Sequence, residues 1–277
     1  MKLNFTKMHG IGNDYIYFDC TKHDLPDPST LAIELSDRHF SIGGDGIVLI
    51  LPSILCDFKM RMFNNDGSEA EMCGNAIRCV GKYVYEKGLH NSKRVTVETR
   101  AGMKTLELFV EDDKVISVRV DMGAPILDPK LIPVTADENE FVLQTEKYEF
   151  DVTCVSMGNP HAIIYVEETD FEEFFTLGKE IECHAAFPAK TNVEFVKLID
   201  KNTIEMRVFE RGTGETLACG TGACASFVAS YKKGMIENGS YVKLKGGELY
   251  IEMADNGHVF MTGTATIAFE GVVEIEV

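Results

Sequence analysis

Two cysteines carry the most chemical meaning in this chain. Cys73 and Cys219 each stand immediately before a glycine, in the runs MCGNA and ACGTG. Each run opens a stretch that reads as a helix, closed by Gly88 in one case and Gly234 in the other, each suited to a left-handed stop. A thiol at a helix N-terminus feels the positive end of the dipole, which lowers its pKa and raises its thiolate fraction. Gly74 and Gly220 have no side chain, so a ligand can approach the main chain closely. The free N–H groups of the first turn, from Gly74, Asn75, Gly220 and Thr221, make an anion site. Two such helix starts facing each other would hold one carboxylate between two thiols. That arrangement suits the inversion of a carbon next to the carboxylate. One thiolate removes a proton from one face while the other thiol donates to the opposite face, and the roles exchange in reverse. An α-proton is a very weak acid, so donors fixed around the carboxylate must supply much of the rate, in a site closed to water. Such chemistry needs no cofactor and no metal.

Three other readings compete for the same residues. A single cysteine at a helix start is more often a packed small residue than a catalyst. Zinc could be sought with Cys73 and Cys79 or with Cys219 and Cys224, but neither spacing matches the usual ligand runs and no histidine is close in sequence. The glycines of GTGETLACGTG suggest a phosphate loop, yet the lysine-containing ending of a P-loop is missing and so is GxGxxG.

The elements that position the cysteines are repeated. MRMFNNDGSEAEMCGN, starting at Met60, matches MRVFERGTGETLACGT, starting at Met206, at a constant offset of 146 residues. Over the 29 ungapped positions from Met60 to Gly88 there are nine identities, against roughly two expected by chance. Gly12-Asn13 falls on Gly158-Asn159 at the same offset. A duplicated domain follows, and two copies make a pseudo-dimer rather than a solenoid. A pocket between domains is a common place for a small molecule. Alternating, β-rich runs predict strands at Leu3–Met8, Tyr15–Asp19, Gly46–Leu51, Asp57–Phe63, Arg94–Thr99, Lys104–Val110 and Val115–Asp121. The second half repeats the style, and Val272–Val277 alternates cleanly. Four helices are expected: one capped by Asp27 with Pro28 in its first turn and running towards Arg38, one following Asp170, and the two that begin at the cysteines. The repeat places the domains at 1–118 plus 265–277 and at 119–264.

Composition narrows the partners. The net charge of −17 leaves no excess of Lys or Arg, which excludes nucleic acid and anionic membranes as partners. It also means that a carboxylate substrate needs a locally positive site. No apolar leader opens the chain, and the longest apolar run, Ile47–Leu51, is cut by Pro52 and too short to cross a bilayer. The expectation is a cytoplasmic protein with its eight cysteines reduced. A homodimer is compatible with this reading.

At these residues the chain resembles the diaminopimelate epimerase family. KMHGIGNDY at Lys7, FNNDGSEAEMCGNAIR at Phe63, GNPH at Gly158, TNVEF at Thr191 and ERGTGETLACGTGA at Glu210 look like that family's signatures. The resemblance implies an α/β fold of α+β type, with two pseudo-symmetric domains, each a curled, mostly antiparallel sheet around a central helix. It implies a pyridoxal-independent epimerase that interconverts LL- and meso-diaminopimelate in lysine and peptidoglycan precursor synthesis. Cys73 and Cys219 would be base and acid, with His161 and Glu210 as polar neighbours supporting thiol activation. Asn13, Asn64, Asn159, Asn192 and Arg211, with Glu210, would recognise substrate, Arg211 as a planar fork on the distal carboxylate. Gly74, Asn75, Gly220 and Thr221 would bind the reacting carboxylate. Some relatives carry a polar ligand at the place of Gly46, which here has no side chain to offer. A proline or hydroxyproline epimerase is the nearest alternative enzyme, and a non-catalytic small-anion binding protein the alternative outside catalysis.

Overall fold

The computed structural model describes residues 1–275. Its chain divides into two compact units, Met1–Asp121 with the chain from Thr262 onward, and Met122–Met261.

The first unit begins with strands β1 (Lys2–Gly10) and β2 (Asn13–Asp19), helix α1 (Pro28–Ser36) and strands β3 (Gly46–Leu51), β4 (Phe58–Asn64) and β5 (Glu69–Ala70). Helix α2 (Gly74–Glu86) follows, then β6 (Arg94–Thr99), β7 (Gly102–Glu111) and β8 (Lys114–Gly123). The second unit contains β9 (Glu140–Gln144), β10 (Glu149–Ser156), β11 (Pro160–Tyr165), helix α3 (Phe174–Glu182), β12 (Asn192–Asp200), β13 (Thr203–Glu210) and β14 (Gly214–Glu215). It continues through helix α4 (Gly220–Lys232), β15 (Ser240–Leu244), β16 (Gly247–Met253) and β17 (Val259–Gly263), after which β18 (Thr266–Glu274) belongs to the first unit. The strand expected at Val272–Val277 thus starts earlier, and Glu276 and Val277 lie outside the described residues.

Pairing is mostly antiparallel, and the duplication is visible in the register. In the first unit β2 runs parallel to β3 with Tyr15 opposite Gly46. In the second, β11 runs parallel to β12 with His161 opposite Asn192. Phe63 faces Glu69 across β4 and β5, as Phe209 faces Glu215 across β13 and β14. Each copy then ties its hairpin with the same ion pair, Arg61 to Glu69 at 2.7 Å and Arg207 to Glu215 at 2.5 Å.

The two long helices lie deep in their own units. Helix α2 packs on β1, β2 and β7, and α4 packs on strands β10 to β13, β15 and β16. Ten of the thirteen residues of α4 are buried, with Ala223, Cys224, Phe227 and Val228 filling its interior. Helix α1 has the expected start, with the Asp27 carboxylate accepting from the Thr30 N–H at 3.3 Å and Pro28 in the first turn. It stops at Ser36, because Asp37 is extended and its carboxylate accepts from the N–H groups of His39 and Phe40. Helix α3 starts at Phe174 rather than just after Asp170, since Phe171 folds into the core with its ring edge-on to Phe195 at 5.0 Å.

Candidate active site

Both cysteines are N-caps. Cys73 has extended backbone angles of φ −132 and ψ 124, and Cys219 has φ −119 and ψ 107, before the helical residues begin. Each therefore projects from the end where the first main-chain N–H groups have no acceptor in the preceding helical turn. The residues that follow, Gly74 with Asn75 and Gly220 with Thr221, form the first turns of α2 and α4.

In the first unit the Cys73 thiol donates to the side-chain oxygen of Asn13 at 3.3 Å. Asn13 opens β2, and its NH2 group donates to Asp45 at 2.7 Å. Asn64 ends β4, where its NH2 group reaches the Ser68 hydroxyl at 3.1 Å within a tight turn. The Asn75 side chain faces inward, accepting from the Arg78 guanidinium at 2.9 Å, so its main chain is what it presents at the helix start. Arg78 is fully buried in α2 and also donates to the carbonyls of Gly74 and Thr264. A side chain at Gly10 would strike it, since an added Cβ would come within 2.9 Å of the guanidinium.

The second unit surrounds Cys219 with ionisable groups. The Cys219 sulfur accepts from the Gly222 N–H at 3.4 Å and lies 3.6 Å from the Thr221 hydroxyl. Glu210, at the end of β13, accepts from the Thr216 hydroxyl. Fully buried His161 places Nδ1 2.7 Å from Glu194 and Nε2 3.0 Å from the Asn159 side-chain oxygen. Asn192 is buried, donating to the Pro160 carbonyl at 2.7 Å and accepting from the Arg211 N–H at 2.9 Å, so its amide fixes the chain that carries Arg211. The Arg211 guanidinium is exposed and touches the Ala189 carbonyl at 3.1 Å.

The expectation that a helix start lowers the thiol pKa fails at Cys219. Burial pushes this thiol well above its ordinary value, and the nearby carboxylates of Glu210 and Glu194 push it further. The Gly222 N–H and Thr221 hydroxyl pull the other way and lose. Burial likewise raises the Glu210 carboxyl above the usual range, against the Thr216 hydrogen bond and the His161 charge. Without substrate, the surroundings of Cys219 favour the protonated sulfur.

Three buried or clamped residues escaped sequence reading. Glu194 is the charged residue inside the otherwise apolar NVEFV stretch of β12, and its second oxygen has no hydrogen-bond partner. Asp45 hides in the glycine run GGDG, and Arg78 in an apolar helix. In each case the signal was a charge where the pattern called for none. The absence of a side chain at Gly46 has a steric cause, since at φ +156 an added Cβ would lie 2.0 Å from the Phe63 carbonyl oxygen. No group of His, Cys, Asp or Glu suited to a metal ion occurs among the described residues. No helix among them is long and apolar enough to cross a membrane.

Solved structures define the class. A PhzF-family phenazine biosynthesis protein from Bacillus anthracis superposes with a TM-score of 0.71 at 18% identity, covering 99% of this chain and 100% of that one. A hydroxyproline epimerase from Agrobacterium vitis does so with a TM-score of 0.70 at 15% identity, covering 98% of this chain and 91% of that one. The fold is therefore the duplicated α/β architecture of PhzF proteins and proline racemases.

Sequence takes the assignment further. The family model described as diaminopimelate epimerase matches residues 5–127 and 153–268. The diaminopimelate epimerase of Acetivibrio thermocellus is 56% identical over 277 residues, covering 99% of both chains. That of Methanococcus maripaludis strain S2 is 55% identical, covering 99% of this chain and 100% of its own. The chain belongs to the diaminopimelate epimerase family.

Proposed function

We infer that the protein inverts one α-carbon of 2,6-diaminopimelate, exchanging the LL and meso forms, as an isomerase of lysine biosynthesis. The membership just described supports this reading, and it leaves no reason to prefer a proline-type substrate or a purely anion-binding role. The observation that carries the mechanism is the equivalent placement of Cys73 and Cys219 as N-caps of the two central helices.

Inversion needs a base on one face of the α-carbon and an acid on the other. We assign those roles to the two cysteines, each serving as base in one direction and acid in the other. The N–H groups of Gly74, Asn75, Gly220 and Thr221 would hold the reacting carboxylate and stabilise charge as the proton leaves. His161 and Glu210 would adjust the charge around Cys219 as its proton comes and goes. Asn13, Asn64, Asn159 and Arg211 would recognise the rest of the substrate, with the Arg211 guanidinium pairing the distal carboxylate. Asn192 would act by holding the main chain at Arg211. The domain limits, the cytoplasmic setting and a homodimeric assembly remain part of this proposal.

Direct assay of the purified protein with LL-diaminopimelate tests the function, and no conversion to the meso form would reject it. Running the same reaction in D2O tests the mechanism. The donating thiol exchanges with solvent and delivers deuterium, while the other takes up the substrate's own hydrogen. Early product should carry deuterium at the inverted carbon and recovered substrate should not. Label in recovered substrate, appearing as fast as product forms, would rule out two separate bases.

A further inference from the structure

Cys73 has a charged support that Cys219 lacks. Asp45 stands just before β3, and one of its carboxylate oxygens accepts from the Asn13 NH2 group at 2.7 Å and from the Asp14 N–H at 3.1 Å. The other accepts from Arg38 at 2.9 Å. Arg38 also forks onto Asp14 at 2.6 and 3.1 Å, and buried Lys7 pairs with Asp14 at 2.7 Å while bonding the Gly43 carbonyl. The Asp45 N–H donates to the Asp14 carbonyl at 2.7 Å. The carboxylate is thus fixed from several sides.

Consider what this does to Asn13. Its amide has one donating end and one accepting end, and a carboxylate oxygen only accepts. The NH2 group must therefore face Asp45, and the oxygen must point away from it. That oxygen lies 3.3 Å from the Cys73 sulfur. An amide oxygen cannot donate, so the contact is attractive only while the sulfur carries its proton.

We propose that Asp45 is a positioning residue which, by fixing the orientation of the Asn13 amide, holds Cys73 as a thiol in the substrate-free protein. The proposal rests on the assignment of Cys73 as a reacting group. A substrate ammonium that donates to the Asn13 oxygen would displace the thiol from it and so ease loss of the thiol proton. At the repeat offset, the places of Asp45 and Asp14 are held by Thr191 and Pro160, and the Asn159 oxygen meets His161 instead of a sulfur. The device belongs to one thiol, which leaves the other as an internal control.

Other titratable groups stand on the elements packed around this helix. They are Lys2, Lys7 and His9 on β1, Asp14, Tyr15, Tyr17 and Asp19 on β2, Lys104, Glu107 and Glu111 on β7, and Arg78, Cys79, Lys82, Tyr83, Tyr85 and Glu86 on α2. None changes in the test. Alkylation of Cys73 and Cys219 by iodoacetamide would be followed from acid to alkaline pH by peptide mass mapping. Four proteins are compared: the unaltered chain, Asp45→Asn, Asn13→Ala and the double variant. In Asp45→Asn the Cys73 profile should move about one pH unit lower, because Asn13 can now turn its NH2 group to the sulfur. The Cys219 profile should stay in place. The shift should vanish in the Asn13→Ala background. An unmoved Cys73 profile, or a shift of equal size without the Asn13 amide, would overturn the proposal. The infrared S–H stretch of the unaltered protein at neutral pH gives a second check that needs no variant at position 45. It should lose a component in Cys73→Ala, and no such loss would equally reject a resting thiol. None of these measurements uses substrate, so their failure is distinct from failure of the epimerase assay.

Discussion

The two copies of the central helix present chemically equal sulfurs in unequal surroundings. Cys73 donates to the neutral amide of Asn13, which in turn is held by the charge of Asp45. Around Cys219, charge comes close, with Glu210, Glu194 and His161 all acting on the sulfur or on each other. At the offset of 146, His161 replaces Tyr15, Glu194 replaces Val48 and Glu210 replaces Asn64. Duplication preserved the geometry of the helix starts while the polar groups diverged. The two sulfurs thus meet different surroundings, a fixed amide dipole in one unit and ionisable groups in the other.

The strongest way to break this comparison is to remove either sulfur. Cys73→Ala and Cys219→Ala should each abolish nearly all epimerisation in a steady-state assay, with unchanged circular dichroism. If one variant kept a substantial fraction of activity, the thiols would not be partners. Glu210→Gln should come next, lowering kcat by about a hundredfold, in the range typical of a lost acid–base group. It should also move the alkylation profile of Cys219 to lower pH, because a carboxylate that raises that thiol is gone. An unmoved profile would separate Glu210 from the sulfur.

Arg211→Lys should act on recognition. A point charge loses the two-bond fit to a carboxylate, so kcat/KM should fall about ten- to a hundredfold while the helix-start chemistry is untouched. An unchanged kcat/KM would remove Arg211 from the site. The smallest effect concerns stability. An alanine at Gly222 would place its Cβ 2.6 Å from a Glu194 oxygen and 3.2 Å from the Cys219 sulfur. Glu194 is fully buried against His161 and has little room to retreat. Gly222→Ala should therefore cost about 1–3 kcal/mol in urea unfolding, as overpacking does. Adding Glu194→Ala should recover part of that cost relative to Glu194→Ala alone. Additive costs in the double variant would show that the two residues do not collide.

Much of this was legible in the sequence because it rests on periodicity and repetition. The constant offset identified Cys73 and Cys219 as equivalent, and both became N-caps of buried helices. Glycines at the ends of those helices and the Asp27–Pro28 start behaved as local chemistry requires. Short strands escaped, including β5, β9 and β14, because two to five residues carry too little alternation. The direction of the Cys219 shift was also hidden. A helix start is a local property readable in a motif, whereas burial and two carboxylates from β12 and β13 are assembled only by folding. Asn192 shows the same limit, since nothing in TNVEF reveals that its amide is engaged by main chain on both sides.

The close fit at Gly222 has a consequence for the history of the two copies. The first unit carries Val48 and Ala76 where the second carries Glu194 and Gly222. These pairs cannot interconvert in either order with equal ease. A glutamate arriving opposite an alanine would meet a methyl group inside its own van der Waals shell, whereas a glycine arriving opposite a valine costs only about 1 kcal/mol of helix propensity. If the apolar pair is ancestral, the glycine came first and the carboxylate followed. If the charged pair is ancestral, the carboxylate left before the methyl arrived. By that steric argument either passage runs through valine and glycine together, and building that combination into the second unit should give a folded protein from which both pairs can be reached.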